Sequence, residues 1–346
     1  MTVAVQPLDF ELPVTRWAAT PPERSGMRRD EVRLMVADGT TATIDEGRFW
    51  DLPKWLRGGD AVVVNTSRTV PAAVDARTAT GEKIRIHFAA PSDAGLWSVE
   101  LRTPNGNGST PGPDLHPQTI HLDGGAVIEL LTRHPRSPRL WVASVSAVGD
   151  VDQYLAAHGS PIRYVSTGKW PLTDYQTVFA TEPGSAEMPS AGRPFTTDLV
   201  TRLVAAGVVV LPIVLHTGVS SFEEGEVPGD ERFDVPTATA RIANTIRDGG
   251  GRIIAVGTTV VRALESVADG DGMLHPGKGV TDLLVTSERP PTTIDGLVTG
   301  WHEPRSSHLR LLEAVAGRDL LQKCYQTALD NGYRWHEFGD SLLILR

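Results

Sequence analysis

Between residues 71 and 148 the chain carries no helical period and becomes a run of short strands, whereas the segments on either side alternate strands with helices. Strands are predicted at 83–89, 96–101, 119–122, 126–131 and 140–145. Ile84, Ile86 and Phe88 fall on one face of the first, and Trp97, Val99 and Leu101 on one face of the second. The intervening PNGNG at 104–108 and DGG at 123–125 are turn chemistry. So many short strands would leave open edges, a hazard that closure into a small antiparallel β-barrel removes.

The flanks read differently. Strands are predicted at 32–36 and 61–64 before the barrel. After it come helices at 150–158 and 197–206, a strand at 208–215, a helix at 237–248, a strand at 252–256 and a helix at 260–267. Strands at 282–286 and 296–299, a long helix over 307–331 and a strand at 342–345 complete the pattern. Pro212 inside the 208–215 run predicts an edge or a bulge there. The expected fold class is therefore α/β, a larger discontinuous domain (1–68 and 150–346) into which an antiparallel β-barrel domain (69–149) is inserted.

A chain of 346 residues with 40% hydrophobic content can bury cores of that size. No apolar run reaches membrane-spanning length and no secretory leader opens the sequence, so a soluble, cytoplasmic protein with no membrane partner, and a monomer, is expected. Cys324 is the single cysteine; it cannot form an internal disulfide and, on a leucine-rich helix, reads as packed. The formal net charge of −9 argues against nucleic-acid binding by bulk electrostatics. Two basic clusters, Arg24, Arg28, Arg29 and Arg33, and Arg133, Arg136 and Arg139 beside His134, read either as solvated surface or as local binding patches.

Candidate chemistry gathers at strand ends. In GGGRIIAVGTTVVRALES (249–266) a β-branched strand turns through Gly257, Thr258 and Thr259 into a helix. Unpaired N–H groups at that helix start, the two hydroxyls and Arg262 one turn on suit a carboxylate or phosphate. The same residues also fit a plain helix cap at Thr258 with Arg262 paired to a surface acid. Asn65 to Arg68, His216 to Gly218, and Trp301 to Ser307 follow three other strands, and in an open α/β sheet such ends line the ligand crevice. GSAEMPSAG (184–192) reads as a binding loop or an ordinary surface loop. No phosphate-binding P-loop, dinucleotide fingerprint, zinc pattern or nucleophile elbow is present in the sequence, and no metal is expected.

The chain resembles the S-adenosylmethionine:tRNA ribosyltransferase-isomerase family of queuosine biosynthesis over nearly its whole length. The motifs that carry the resemblance are NTSRTVPA (65–72), YQTVFA (175–180), GSAEMPSAGRPFT (184–196), LHTGVSSF (215–222), GGRIIAVGTTVVRALES (250–266), WHEPRSSHL (301–309) and YRWHEFGDSLLI (333–344). The resemblance implies an α/β domain interrupted by a barrel, and a reaction that moves the ribosyl part of S-adenosylmethionine to 7-aminomethyl-7-deazaguanine in tRNA. Epoxyqueuosine forms, and adenine and methionine leave. S-adenosylmethionine would be a co-substrate, with no further cofactor, and tRNA the partner.

Carried over residue by residue, the resemblance implies a substrate site of Gly257, Thr258, Thr259, Arg262, Asn65, Arg68, Ser190, Ala191 and Gly192. Proton transfer falls to His302, then His216, then Glu231; Asp340 matches as well, with loop orientation an equal reading. The chain departs from the family pattern at Thr66, Ala73, Pro194, Ser220-Ser221, Gly300 and Glu303. The last of these places a carboxyl where an apolar residue is usual. These departures leave two alternatives beside the main reading: a divergent paralogue with another, small-molecule acceptor, and a non-catalytic S-adenosylmethionine-binding protein.

Overall fold

The computed structural model describes residues 8–92, 94–164, 168–219 and 229–346; the Ser220-Ser221 departure and the end of the 215–222 motif lie outside them. Strands β1 (Arg33–Asp38), β2 (Thr43–Arg48), β3 (Ala61–Asn65) and the short β4 (Ser67–Thr69) come first. Seven more follow with no helix between: β5 (Ala73–Arg77), β6 (Lys83–Pro91), β7 (Trp97–Asn105), β8 (Gly108–Pro111), β9 (Thr119–Leu122), β10 (Val127–His134) and β11 (Ser137–Ser146). The remainder alternates: α1 (Val151–His158), β12 (Glu182–Ser185), α2 (Thr197–Ala205), β13 (Val209–Leu215), β14 (Glu231–Val235), α3 (Thr237–Asp248), β15 (Ile253–Val256), α4 (Thr258–Glu265), β16 (Gly277–Thr281), β17 (Gly296–Gly300), α5 (Ser307–Ala316), α6 (Arg318–Asp330) and β18 (Ser341–Leu345).

The helix-free run closes on itself. Its strands pair in the order β11-β10-β9-β5-β6-β7, and β7 pairs back with β11, giving a six-stranded antiparallel barrel with β8 added outside β7. The two-residue alternation points Ile84, Ile86, Phe88, Val99, Ile120, Ile128 and Trp141 into the barrel core. Each such side chain removed from water contributes roughly 1.5–3 kcal/mol.

The second sheet has nine strands in the order β16-β14-β13-β3-β15-β17-β18-β1-β2. Its centre, β13-β3-β15-β17, is parallel. Helices cover both faces, so central strands read as continuous apolar runs: every residue of β3 and β15 is buried. Val62 and Val64 face α2, Phe49 and Phe195, whereas Ala61 and Val63 face the core shared with α3 to α6. Cys324 is buried in that second core, where burial pushes its thiol up to about 11.

Several expectations change. The 282–286 segment is no strand; the pairing falls at β16, which lies antiparallel to β14. Residues 307–331 form two helices, because Gly317 with φ +74° turns the chain between α5 and α6. Pro212 lies inside the sheet, but β14 meets β13 only at Val214 and Leu215, so Pro212 sits where β3 alone pairs with it. Its carbonyl accepts the Thr239 hydroxyl at 2.6 Å. Strand β2 carried no sequence signal because it is a mostly exposed edge with polar residues on both faces.

Both basic clusters are engaged in ion pairs. Arg24 meets Asp174, Arg28 meets Asp30, Arg29 meets Glu23 and Arg33 meets Glu46. In the barrel Arg133 pairs with Asp114, Arg136 with Asp230 and Asp282, and Arg139 with Glu100. Among the described residues no helix is long and apolar enough to cross a membrane.

Candidate active site

The parallel centre of the large sheet aims the ends of β15 and β17 at one cleft of about 1390 Å³, counting its open mouth. After β15 the chain turns through Gly257 at φ +96°, whose N–H donates to the Val298 carbonyl at 2.8 Å. A Cβ added there would sit 3.4 Å from Ala191 and would need a backbone conformation that side chains disfavour. Thr258 and Thr259 then open α4. Helix geometry leaves the first N–H groups of α4 without intrahelical acceptors, at the point where both threonines line the cleft.

Arg262, one turn on, is not available to an anion. Its guanidinium pairs with the Glu231 carboxylate and donates to the carbonyls of Leu283 at 3.0 Å, Thr281 at 3.2 Å and Gly229 at 3.3 Å. Glu231 is equally engaged, since its other oxygen accepts the Gly218 N–H at 3.0 Å. Both residues line the cleft, and their pairing ties β14 to α4. Of the two sequence readings of Arg262, pairing with an acid is the one realised, although that acid is largely buried.

His302 follows β17 and lines the cleft. Its Nε2 lies 3.0 Å from Thr299 Oγ1, its backbone N–H donates to Tyr325 Oη at 3.2 Å, and its carbonyl accepts Trp335 Nε1 at 3.1 Å. The ring stacks on His308, centroids 4.4 Å apart and nearly parallel. Burial holds the His302 imidazolium form well below its ordinary range, reinforced by His308. Burial likewise brings His308 down to about 4, with Arg262 adding to the effect. Two neutral imidazoles therefore face this wall at neutral pH.

The opposite chemistry comes from four separate segments, at residues to which the resemblance gave no role. Tyr164, Glu187, Glu303, His336 and Glu337 all line the cleft. His336 adopts φ +84°, the left-handed region uncommon outside glycine, and packs at 5.2 Å from Trp17. Glu337 follows it, and burial pushes its carboxyl up to about 8, helped by the neighbouring Glu187 and Glu303 and opposed by Arg193. Burial raises Glu303 as well. Tyr164 Oη donates to Glu187 and so holds that carboxylate in place. The sequence signal for these residues was weak, because three carboxyls from distant segments reveal their proximity only in the fold.

Other expected site residues serve elsewhere. Asn65 is buried: its Nδ2 donates to the Leu215 carbonyl at 2.7 Å and its Oδ1 accepts from Leu215 and Ser67, stitching β3 to β13. Arg68 is exposed on β4, away from the cleft. His216 is a strut, with Nδ1 at 2.8 Å from Ser67 Oγ and its ring against Gly184. Its chain neighbours Thr217 and Gly218 do line the cleft, as do Ser190 and Ala191. Gly192 instead packs against Thr177. Asp340 orients a loop, accepting the N–H groups of Arg33 at 2.7 Å and Arg334 at 2.8 Å. Of the departures within the described residues, Gly300 and Glu303 face the cleft, whereas Thr66, Ala73 and Pro194 do not.

Sheet, barrel and cleft together fit an enzyme whose site sets imidazoles lowered by burial against a carboxyl raised by it. The chain belongs to the queuosine biosynthesis protein family, whose profile matches residues 5–344. It is 35% identical to an S-adenosylmethionine:tRNA ribosyltransferase-isomerase of Symbiobacterium thermophilum, covering 97% of this chain and 98% of that protein. A relative of the same description from Moorella thermoacetica is 33% identical, with 99% of each chain covered. The crystal structure of S-adenosylmethionine tRNA ribosyltransferase from Thermotoga maritima superposes with a TM-score of 0.54 at 28% identity, covering 98% of this chain and 99% of that one.

Proposed function

We propose that the protein transfers and isomerises the ribosyl moiety of S-adenosylmethionine onto 7-aminomethyl-7-deazaguanine in tRNA, forming epoxyqueuosine and releasing adenine and methionine. S-adenosylmethionine is then a co-substrate, with no further cofactor, and the enzyme acts in the cytoplasm as a monomer. The observation that carries the reading is one cleft that brings His302 and Glu337 together, with burial lowering the imidazole and raising the carboxyl. Membership of a family whose relatives bear the corresponding description supports it.

A sulfonium acidifies the hydrogens on the neighbouring 5′ carbon, so a positioned base removes one and the ribose ring opens as adenine departs. His302 is the base, its ring nitrogen opposite Thr299 taking the proton. Glu337 delivers a proton to the departing adenine, which a carboxyl held neutral at pH 7 is able to do. The α4 start receives the methionine carboxylate through the Thr258 and Thr259 N–H groups and hydroxyls. Ser190 and Ala191 let backbone approach the nucleoside closely. Most of the catalytic gain comes from holding these partners in register.

Adenine release from S-adenosylmethionine, in the presence of tRNA bearing 7-aminomethyl-7-deazaguanine, tests the reading. His302→Ala should lower the rate roughly 10²-fold or more while S-adenosylmethionine still binds. Turnover at the wild-type rate in that variant removes His302 as the base. Absence of adenine release by the wild-type enzyme with this tRNA removes the proposed reaction.

A further inference from the structure

We infer that an open groove on the barrel, next to the cleft, is the surface that holds the sugar-phosphate backbone of an RNA substrate. The groove runs along β5 and β6, is bounded by the β7–β8 turn at Gly106 and Asn107, and is flanked by residues that follow α1. Five cationic side chains line it against two carboxylates, on a chain whose formal net charge is −9. This part of the inference rests on the RNA-directed reading above; the placement of the surface does not follow from that reading.

Strand register sets the charges. Arg77 lies directly opposite Lys83, and Asp75 directly opposite Arg85. The second pair is neutralised by a 2.6 Å contact between Arg85 and Asp75. The first pair sets two exposed cations face to face, an arrangement that costs stability unless an anion lies between them. Among the described residues the Arg77 guanidinium has one partner, the Gly81 carbonyl at 3.1 Å. Lys83 and Lys169 form no ion pair among the described residues. Successive same-face positions on a strand repeat every ~6.5 Å, a spacing comparable to that of neighbouring phosphates along an RNA strand. The contrast with Arg24, Arg28, Arg29, Arg133, Arg136 and Arg139 is plain, because carboxylates already occupy those cations.

The groove also leads to the chemistry. Arg163 lines it and has a buried Nε without a partner. The same residue lines a small pocket with Tyr164, His336 and Glu337, and those three face the cleft as well. A backbone held on β5 and β6 would therefore lie close to the cleft wall that carries Tyr164, His336 and Glu337. RNA readers commonly divide the work in this way, with cations gripping phosphates while an extruded base enters a pocket.

The test uses the full-length protein and tRNA bearing 7-aminomethyl-7-deazaguanine. RNA affinity is measured by fluorescence anisotropy across a salt series, and adenine release is measured in parallel. The double variant Lys83→Ala with Lys169→Ala should weaken RNA binding about tenfold near 0.1 M salt and flatten the log–log salt slope by roughly 1.5, as expected for two lost phosphate contacts. KM for tRNA should rise while kcat and S-adenosylmethionine affinity stay unchanged. The paired arginine replacements should restore the slope, and Lys323→Ala, on the exposed side of α6, should leave it unaltered. Wild-type affinity and slope in the double variant, an equal loss in Lys323→Ala, or no RNA binding by the wild type would each overturn the inference. Groove-dependent RNA binding without adenine release would keep the surface and remove the proposed reaction.

Discussion

Replacing Glu337 by glutamine probes the acid side of the site without changing its shape. With its carboxyl pushed up to about 8, Glu337 is about 90% protonated at pH 7 and about 10% at pH 9. If that proton goes to adenine, single-turnover release with saturating tRNA should be nearly flat from about pH 6 to 7 and fall about tenfold between pH 7 and pH 9. His302 adds no ascending limb in this window, because it is already neutral. Glutamine cannot deliver the proton, so the rate at pH 7 should fall roughly 10²-fold or more, and the descending limb should disappear. Folding carries a second signature. A carboxyl raised in the folded state takes up a proton on folding between its unfolded and folded values, so stability falls as pH rises from about 5 to 8. Thermal denaturation of Glu337→Gln should lose that slope and gain stability relative to wild type above pH 7. A variant that keeps both the descending limb and the wild-type rate would refute the assignment of Glu337 as the acid.

Two further perturbations address its surroundings. Glu303→Leu removes one of the carboxylates that raise Glu337, so the descending limb of adenine release should move toward lower pH; an unmoved limb would show that Glu303 does not act on it. Arg262→Met leaves Glu231 buried without its partner, and chemical denaturation should report a loss of roughly 3–5 kcal/mol; a loss under 1 kcal/mol would mean the pair is solvated.

The sequence alone was enough for the elements whose signals are local. The barrel strand at 83–91 is visible because Ile84, Ile86 and Phe88 alternate with polar residues, and all three are buried. The Gly257 turn is legible because a β-branched strand meets a helix start there. Helix α3 spans the predicted 237–248, with its apolar positions at helical spacing. His302 was identifiable from its place after a strand in a recognisable motif, and the cleft contains it. His216 and Asn65 occupy equally suggestive strand ends, and there each bonds to a neighbouring strand and lies outside the cleft lining.

Tertiary structure decided the partners. Arg262 looks like an anion ligand until Glu231, thirty-one residues earlier, takes its charge. Glu187, Glu303 and Glu337 are ordinary surface residues in any sequence window, and only the crossing of three segments makes one carboxyl suppress the ionisation of another. The physical reason is range. Periodicity and turn chemistry act over a few residues and are written along the chain, whereas desolvation and charge–charge coupling depend on which distant groups the fold brings within a few ångströms.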